Sequence, residues 1–178
     1  KLRLSWGQAG NDRIGTAQFL SNMSTLNYPV GESQALNSGY VVGNIANNML
    51  GWETTTSYNV GVDFGLFNNR IYLSADYYKK TTKDLLLKAP VSLITGFANM
   101  MDNVGNVDNW GLEFELNTAN ITTNTFRWNS SLNISLNRNK ITSLGDDNSD
   151  IRSGQGNTII QRVGNPINSY MLLRVDRT

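Results

Sequence analysis

The 178-residue chain contains no cysteine and no histidine. Without cysteine it has no disulfide framework, thiolate nucleophile or iron–sulfur cluster. Without histidine it has no imidazole base, no Ser-His-Asp or Cys-His nucleophile, and no usual zinc or non-haem iron site. No enzyme activity, cofactor or metal is therefore expected. Prolines number only three and charged residues only 16%, against roughly 25% in a typical soluble domain. Fifteen basic and 14 acidic side chains leave a net charge of +1, so no strong field selects nucleic acid as a partner. No apolar run approaches the roughly 18 residues of a membrane helix, and no signal-peptide pattern opens the chain. The opening on Lys1-Leu2-Arg3, with no initiating Met, reads as an internal piece of a longer protein.

What the chain has in abundance is asparagine, with 25 residues beside 16 glycines. Disorder does not explain this, since aromatics reach 10% and include four tryptophans. The hydrophobic period is 2, and it recurs. Leu2, Leu4 and Trp6 share one face of a first strand. Tyr58, Val60, Val62, Phe64 and Leu66 alternate with Asn59, Gly61, Asp63 and Gly65. Ile71, Leu73, Ala75 and Tyr77 oppose Tyr72, Ser74, Asp76 and Tyr78. Trp110, Leu112, Phe114 and Leu116 oppose Gly111, Glu113, Glu115 and Asn117. Over 126–137, Phe126, Trp128, Leu132, Ile134 and Leu136 face away from Arg127, Asn129, Asn133 and Asn137. Two shorter strands are expected at about 159–163 and 168–176.

The connections discriminate between folds. Long ones, about 7–51, 81–106 and 139–158, alternate with short turns at 67–70 and 119–125. That rhythm marks a transmembrane β-barrel with short periplasmic turns and long external loops. Hydrocarbon cannot satisfy backbone polar groups, so a spanning sheet must close, with apolar positions outward and polar ones toward the lumen. Trp6, Tyr58, Tyr77 and Trp110 fall near one end of the apolar face, and Phe64, Phe126 and Trp128 near the other, as two interfacial girdles would. The alternative is a secreted, glycan-binding β-sandwich, in which the apolar face is a core.

The residues also resemble a known family. Lys1-Leu2-Arg3-Leu4-Ser5-Trp6-Gly7-Gln8-Ala9-Gly10-Asn11 with Ile14-Gly15, then Trp52-Glu53, Tyr58-Asn59-Val60-Gly61-Val62-Asp63 and Phe67-Asn68-Asn69-Arg70-Ile71, are similar to successive strands and turns of the SusC/RagA family of TonB-dependent outer-membrane transporters. Asp76-Tyr77-Tyr78-Lys79-Lys80-Thr81-Thr82-Lys83-Asp84-Leu85-Leu86 is the most distinctive block. Pro90, Thr95-Gly96, Asn103-Val104-Gly105, Asn109-Trp110-Gly111-Leu112-Glu113, Asn133-Ile134-Ser135-Leu136-Asn137 and Val163-Gly164-Asn165-Pro166-Ile167 follow in the family's order. After Tyr170 the chain departs from the family pattern.

The resemblance implies residues 1–178 of a single β-barrel domain in the bacterial outer membrane, supplying about six or seven of roughly 22 strands around a plugged lumen. It implies import of oligosaccharides or peptides with a SusD-like surface lipoprotein, driven through TonB. The plug and its TonB-contacting segment are expected to lie outside these residues. Membrane lipid is a further implied partner.

Several local groupings admit other readings. Glu113 and Glu115 lie about 7 Å apart on one face, near a glycosidase separation, but a polar lumen wall explains them as well. Asp63, Asp76 and Arg127 are expected to face inward and to pair with one another or with the plug. Asp146, Asn148 and Asp150 begin like a calcium loop, yet Ile151 and Asn157 stand where Gly and Glu belong. Lys79, Lys80 and Lys83 are a rim cluster that suits lipopolysaccharide phosphates or plain solvation. Phe19, Tyr28, Tyr40 and Phe97 could stack on sugars. No substrate-binding residue is assigned.

Overall fold

The computed structural model describes residues 1–12, 19–31, 35–145 and 147–172. Twelve strands occur among them. They run β1 (Leu2–Asn11), β2 (Met23–Val30), β3 (Ala35–Val42), β4 (Glu53–Leu66), β5 (Ile71–Lys83) and β6 (Leu86–Pro90). Then come β7 (Asn99–Asn103), β8 (Asn106–Thr122), β9 (Arg127–Ser143), β10 (Ile151–Ser153), β11 (Ile159–Gln161) and β12 (Ser169–Tyr170). Five of these form one antiparallel sheet in the order β1-β4-β5-β8-β9.

The register turns the period-2 pattern into continuous rows. Leu4, Val60, Tyr77, Leu112 and Leu136 lie side by side across all five strands. So do Leu2, Val62, Ala75, Phe114 and Ile134. Between these rows, on the other face, run Arg3, Gly61, Asp76, Glu113 and Ser135. A one-residue slip at any pairing would exchange the faces, so the two-sided pattern specifies the register strongly.

The apolar face has no protein against it among the described residues. Leu4 is 69% exposed, Leu112 54% and Ile134 56%. A sandwich would bury these side chains under a second sheet, and no such layer is present among the described residues. The alternative of a β-sandwich is thereby corrected: the five strands are a stretch of barrel wall. From Trp128 to Arg138 the wall rises roughly 34 Å along the strand, or about 25 Å once tilted, the height of a lipid-facing band.

The strands are longer than the periodicity suggests, and they extend toward the long connections. The first runs through Asn11, the third through Lys83, the fourth begins at Asn106 and the fifth reaches Ser143. Parts of the expected 7–51, 81–106 and 139–158 connections are therefore strand. Polar residues there remain compatible with pairing because the ladder is made by backbone groups, and apolar alternation is demanded only where a face meets hydrocarbon. The expected short strand near 159–163 shrinks to β11, and the described part of the one near 168–176 contains β12; these two pair in a separate sheet with β10. Residues 173–178, and Ile14-Gly15 of the family motif, lie outside the described residues.

The connections contain hairpins. β2 pairs with β3 and β6 with β7. The second continues the β5–β8 ladder past a bend, where Asp84 and Gly105 both take positive φ (57° and 114°) and Leu85 bonds to Gly105 and Val104 to Leu85. The short turn opposite is equally specific. Phe67, Asn68 and Asn69 all have φ between 53° and 61°, a region that Asn enters most readily. Arg70 then reaches the Ala119 and Asn120 carbonyls at 3.1–3.4 Å, tying this turn to the next.

The main buried apolar cluster lies where the connections fold over the end of the wall. Val107, Ile141 and Leu144 are enclosed by Leu85, Leu87, Ile151 and Val163. The Val163–Ile167 block is held on the β9 edge: Ile141 exchanges backbone bonds of 2.9 Å with Asn165 and Gly164, and Ile167 N donates to Asn139 at 2.7 Å.

Gly111 sits beneath the Tyr78 ring, whose hydroxyl accepts from Asn137 Nδ2 at 2.5 Å. A Cβ at position 111 would meet Tyr78 at 2.6 Å and the Leu136 carbonyl at 2.5 Å, whereas one at Gly7 meets nothing within 4 Å. Gly111→Val should therefore destabilise the full-length protein by about 1–3 kcal/mol, read as a lower urea midpoint of the detergent-solubilised barrel. Gly7→Ala should leave the midpoint where it was.

Candidate functional site

The polar face of the wall carries a compact ionic network. Arg3 on β1 is brought opposite Gly61 by register. Its guanidinium donates to Asp63 at 2.8 and 3.1 Å, to Asp76 at 2.8 Å and to the Ser74 hydroxyl at 3.0 Å. Ser74 in turn donates to Asp63 at 2.9 Å. Gly61 makes the crossing feasible: a Cβ there would run into the Asp76 carboxylate and lie 2.9 Å from the Arg3 guanidinium. Three strands are thus locked by one cation between two carboxylates.

The expected pairing of Asp63 and Asp76 is found, but with Arg3, not Arg127. Arg127 is exposed at the start of β9 and makes no ion pair among the described residues. Arg3 was legible as a polar-face residue from its alternation with Leu2 and Leu4. Its partner lies 60 positions away, and only sheet register reveals it.

Glu113 and Glu115 do lie on this face. They line a shallow groove of about 360 Å³ with Ser74, Asp76, Asn133 and Ser135. Asp76 is directly opposite Glu113, and Ser74 is opposite Glu115. Glu115 accepts from Asn117 at 2.6 Å. The groove is a wet, anionic strip of wall that can hold polar or cationic groups by hydrogen bonding.

At the other end, the long connections are stitched together by amides. Asn103 accepts from Gly51 N at 2.6 Å and donates to the Gly51 and Asp84 carbonyls at 3.0 and 2.8 Å. Asn47 donates to the Met101 carbonyl at 3.0 Å and to Asp102 at 3.1 Å. Glu53 receives Leu86 N and Asn11 Nδ2, at 2.9 and 2.8 Å. A groove of about 300 Å³ where the two hairpins meet is lined by Asn22, Asn44, Lys88, Asn99 and Met100 among others, and by no aromatic ring. Tyr28 lies on Gly39 of its own hairpin, Tyr40 and Phe19 are exposed, and Phe97 is half-buried in the other connection. The structure does not gather these four aromatics into one surface.

In the calcium-like run the described side chains have partners within the protein. Asn148 accepts from Leu144 N at 2.9 Å, and Asp150 faces Arg162 at 2.5–3.2 Å. Asp147 accepts from the Ser149 hydroxyl at 2.6 Å. Asp146 lies outside the described residues, and among those described no group of three or more acidic side chains could hold a metal. The Ser149 hydroxyl holds the Asp147 carboxyl below its usual range, and the Arg162 guanidinium does the same for Asp150.

Arg3→Gln should lower the urea midpoint of the full-length barrel, since it leaves two facing carboxylates without their cation, while Arg127→Gln should change it little. In the connection, Arg162→Gln should move the Asp150 titration midpoint upward in an NMR pH titration. Because the folded Asp150 is more acidic than the unfolded one, its pair with Arg162 contributes above the unfolded midpoint and is lost as pH falls through the folded one. The stability gap between wild type and variant should therefore be present at neutral pH and close in acid.

Comparison with known proteins agrees with this geometry. Residues 1–172 match the family model described as TonB dependent receptor-like, beta-barrel. The chain is 38% identical over 176 residues to TonB-dependent receptor P3 of Formosa agariphila, covering 96% of this chain and 17% of that protein. It is 37% identical over 186 residues to TonB-dependent receptor SusC of Bacteroides thetaiotaomicron, covering 96% and 18%. Among solved structures, the RagAB peptide transporter superposes with a TM-score of 0.80 at 30% identity, covering 95% of this chain and 18% of that one. The chain thus spans less than a fifth of the length of the proteins it matches, and within that span it belongs to the β-barrel family of TonB-dependent receptors.

Proposed function

We propose that this chain is a stretch of wall in an outer-membrane transporter that imports oligosaccharides or peptides with energy supplied through TonB. The observation that carries the proposal is the two-faced single sheet: apolar rows on which no described residue packs, and a polar reverse face crossed by the Arg3 network. Such a sheet suits lipid outside and a filled, polar lumen inside. Residues 1–178 then belong to one barrel domain. The connections carrying the β2–β3 and β6–β7 hairpins face the outside, and the 67–70 turn faces the periplasm.

The relatives support part of this reading. RagAB is a peptide transporter, and SusC is a TonB-dependent receptor. The amide-stitched hairpins would meet incoming substrate and a SusD-like lipoprotein, while the Asp76–Glu113–Glu115 strip lines the lumen toward a plug contributed from elsewhere in the protein. The wall itself performs no reaction and uses no cofactor.

Cells carrying the full-length gene should take up one of two labelled pools, mixed oligosaccharides or a peptide digest. Uptake should disappear on deletion of either that gene or tonB. Recovery of the full-length protein in a soluble fraction without detergent would end the proposal.

A further inference from the structure

The outward face carries a feature that forming a barrel does not require. In the row Trp6–Tyr58–Lys79–Trp110–Arg138, two cations stand among three aromatic rings. The next outward row toward the long connections, Gln8–Thr56–Thr81–Asp108–Lys140, adds a third cation, and Lys83 opposite Thr54 adds a fourth. The four rows on the other side of the aromatics have no charged outward side chain. The one acid in the patch, Asp108, is already engaged by Thr81 at 2.7 Å and Lys79 at 3.4 Å. Arg138 and Lys140 are exposed and make no ion pair among the described residues; the Arg138 guanidinium bonds only the Asn137 carbonyl, at 3.3 Å. At the turn end, Arg70 is occupied by backbone carbonyls.

Aromatic rings on a lipid-facing wall sit at headgroup level. Basic side chains beside and just beyond them therefore meet headgroups, their stems lying along the apolar surface. Arg138 and Lys140 are roughly 7 Å apart along β9, and Lys79 is roughly 10 Å away across two strands. A guanidinium beside two ammonium groups at this spacing suits a fixed phosphate, with the fork of Arg138 binding two oxygens. We propose that Arg138, Lys140 and Lys79 form a binding site for the phosphate of a lipopolysaccharide molecule in the outer leaflet. The choice of that lipid rests on the transporter reading above, which turns the long connections outward. A phospholipid of the inner leaflet would meet the turn end, where Arg70 is engaged.

The test uses the full-length protein purified in mild detergent, with Arg138→Gln/Lys140→Gln beside wild type and heat-modifiable gel migration as the check on folding. Phosphorylated lipid A should raise the melting temperature of wild type. Dephosphorylated lipid A and phosphatidylglycerol should not. The double variant should fold, still transport, and bind phosphorylated lipid A about fivefold or more weakly. Equal binding by the folded double variant, or equal protection by phosphatidylglycerol, would overturn the site. Should the double variant not fold, Arg138→Lys and Lys140→Gln singly carry the same comparison. Loss of the transport reading would instead show as absent uptake with lipid binding intact.

Discussion

A single sheet with one apolar face that no described residue covers is the constraint on which the rest of this structure depends. In the proposed reading that face meets hydrocarbon while the other meets water. Hydrocarbon offers no hydrogen bonds, so every backbone group in the wall must pair with a neighbouring strand. It also inverts the usual relation between apolarity and burial. Rows such as Leu4–Val60–Tyr77–Leu112–Leu136 are uncovered by any described residue, while the polar rows point to the opposite side. The chain has little conventional core for this reason. Its Val107–Ile141–Leu144 cluster forms only where the wall rises beyond the girdle and the connections fold over it.

The polar side imposes a different requirement, because charges there must be balanced locally. Arg3 sits between Asp63 and Asp76, and this arrangement joins β1, β4 and β5 through side chains as well as backbone. Two glycines make room for the long side chains that cross the strands: Gly61 under the Arg3–Asp76 contact and Gly111 under Tyr78. Glycine weakens a strand by lacking a side chain to pack. Here that loss is offset by the neighbour that occupies the vacated surface.

Asparagine abundance follows from the long connections. A carboxamide donates and accepts without carrying charge, so it can close irregular backbone where no helix or ladder does so. Asn44 closes the base of the β2–β3 hairpin, with Asn22 N donating to it at 2.7 Å and Leu20 O accepting from it at 2.9 Å. Asn47 and Asn103 bind one hairpin region to the other. At Asn68, Asn69, Asn148, Asn157 and Asn168 the residue takes positive φ, its second contribution to turns. Low charge and high Asn content thus go together: amides supply much of the order in the connections, beside the Asp150–Arg162 ion pair.

The amino-acid sequence alone determined the strand period, the two faces, the alternation of long and short connections, and the family to which these belong. Each of these is a local property, set by which neighbouring side chains share a face or by turn-forming residues within a few positions. Tertiary structure decided which residues meet. Arg3, rather than Arg127, reached Asp63 and Asp76 because pairing across some 60 residues is a matter of register. Arg138 and Lys140 joined Lys79 on one outward patch for the same reason. The upper strand ends were also decided there: beyond the aromatic row the outward positions turn polar, backbone pairing needs no apolar alternation, and the ladder continues through residues whose pattern resembles a loop.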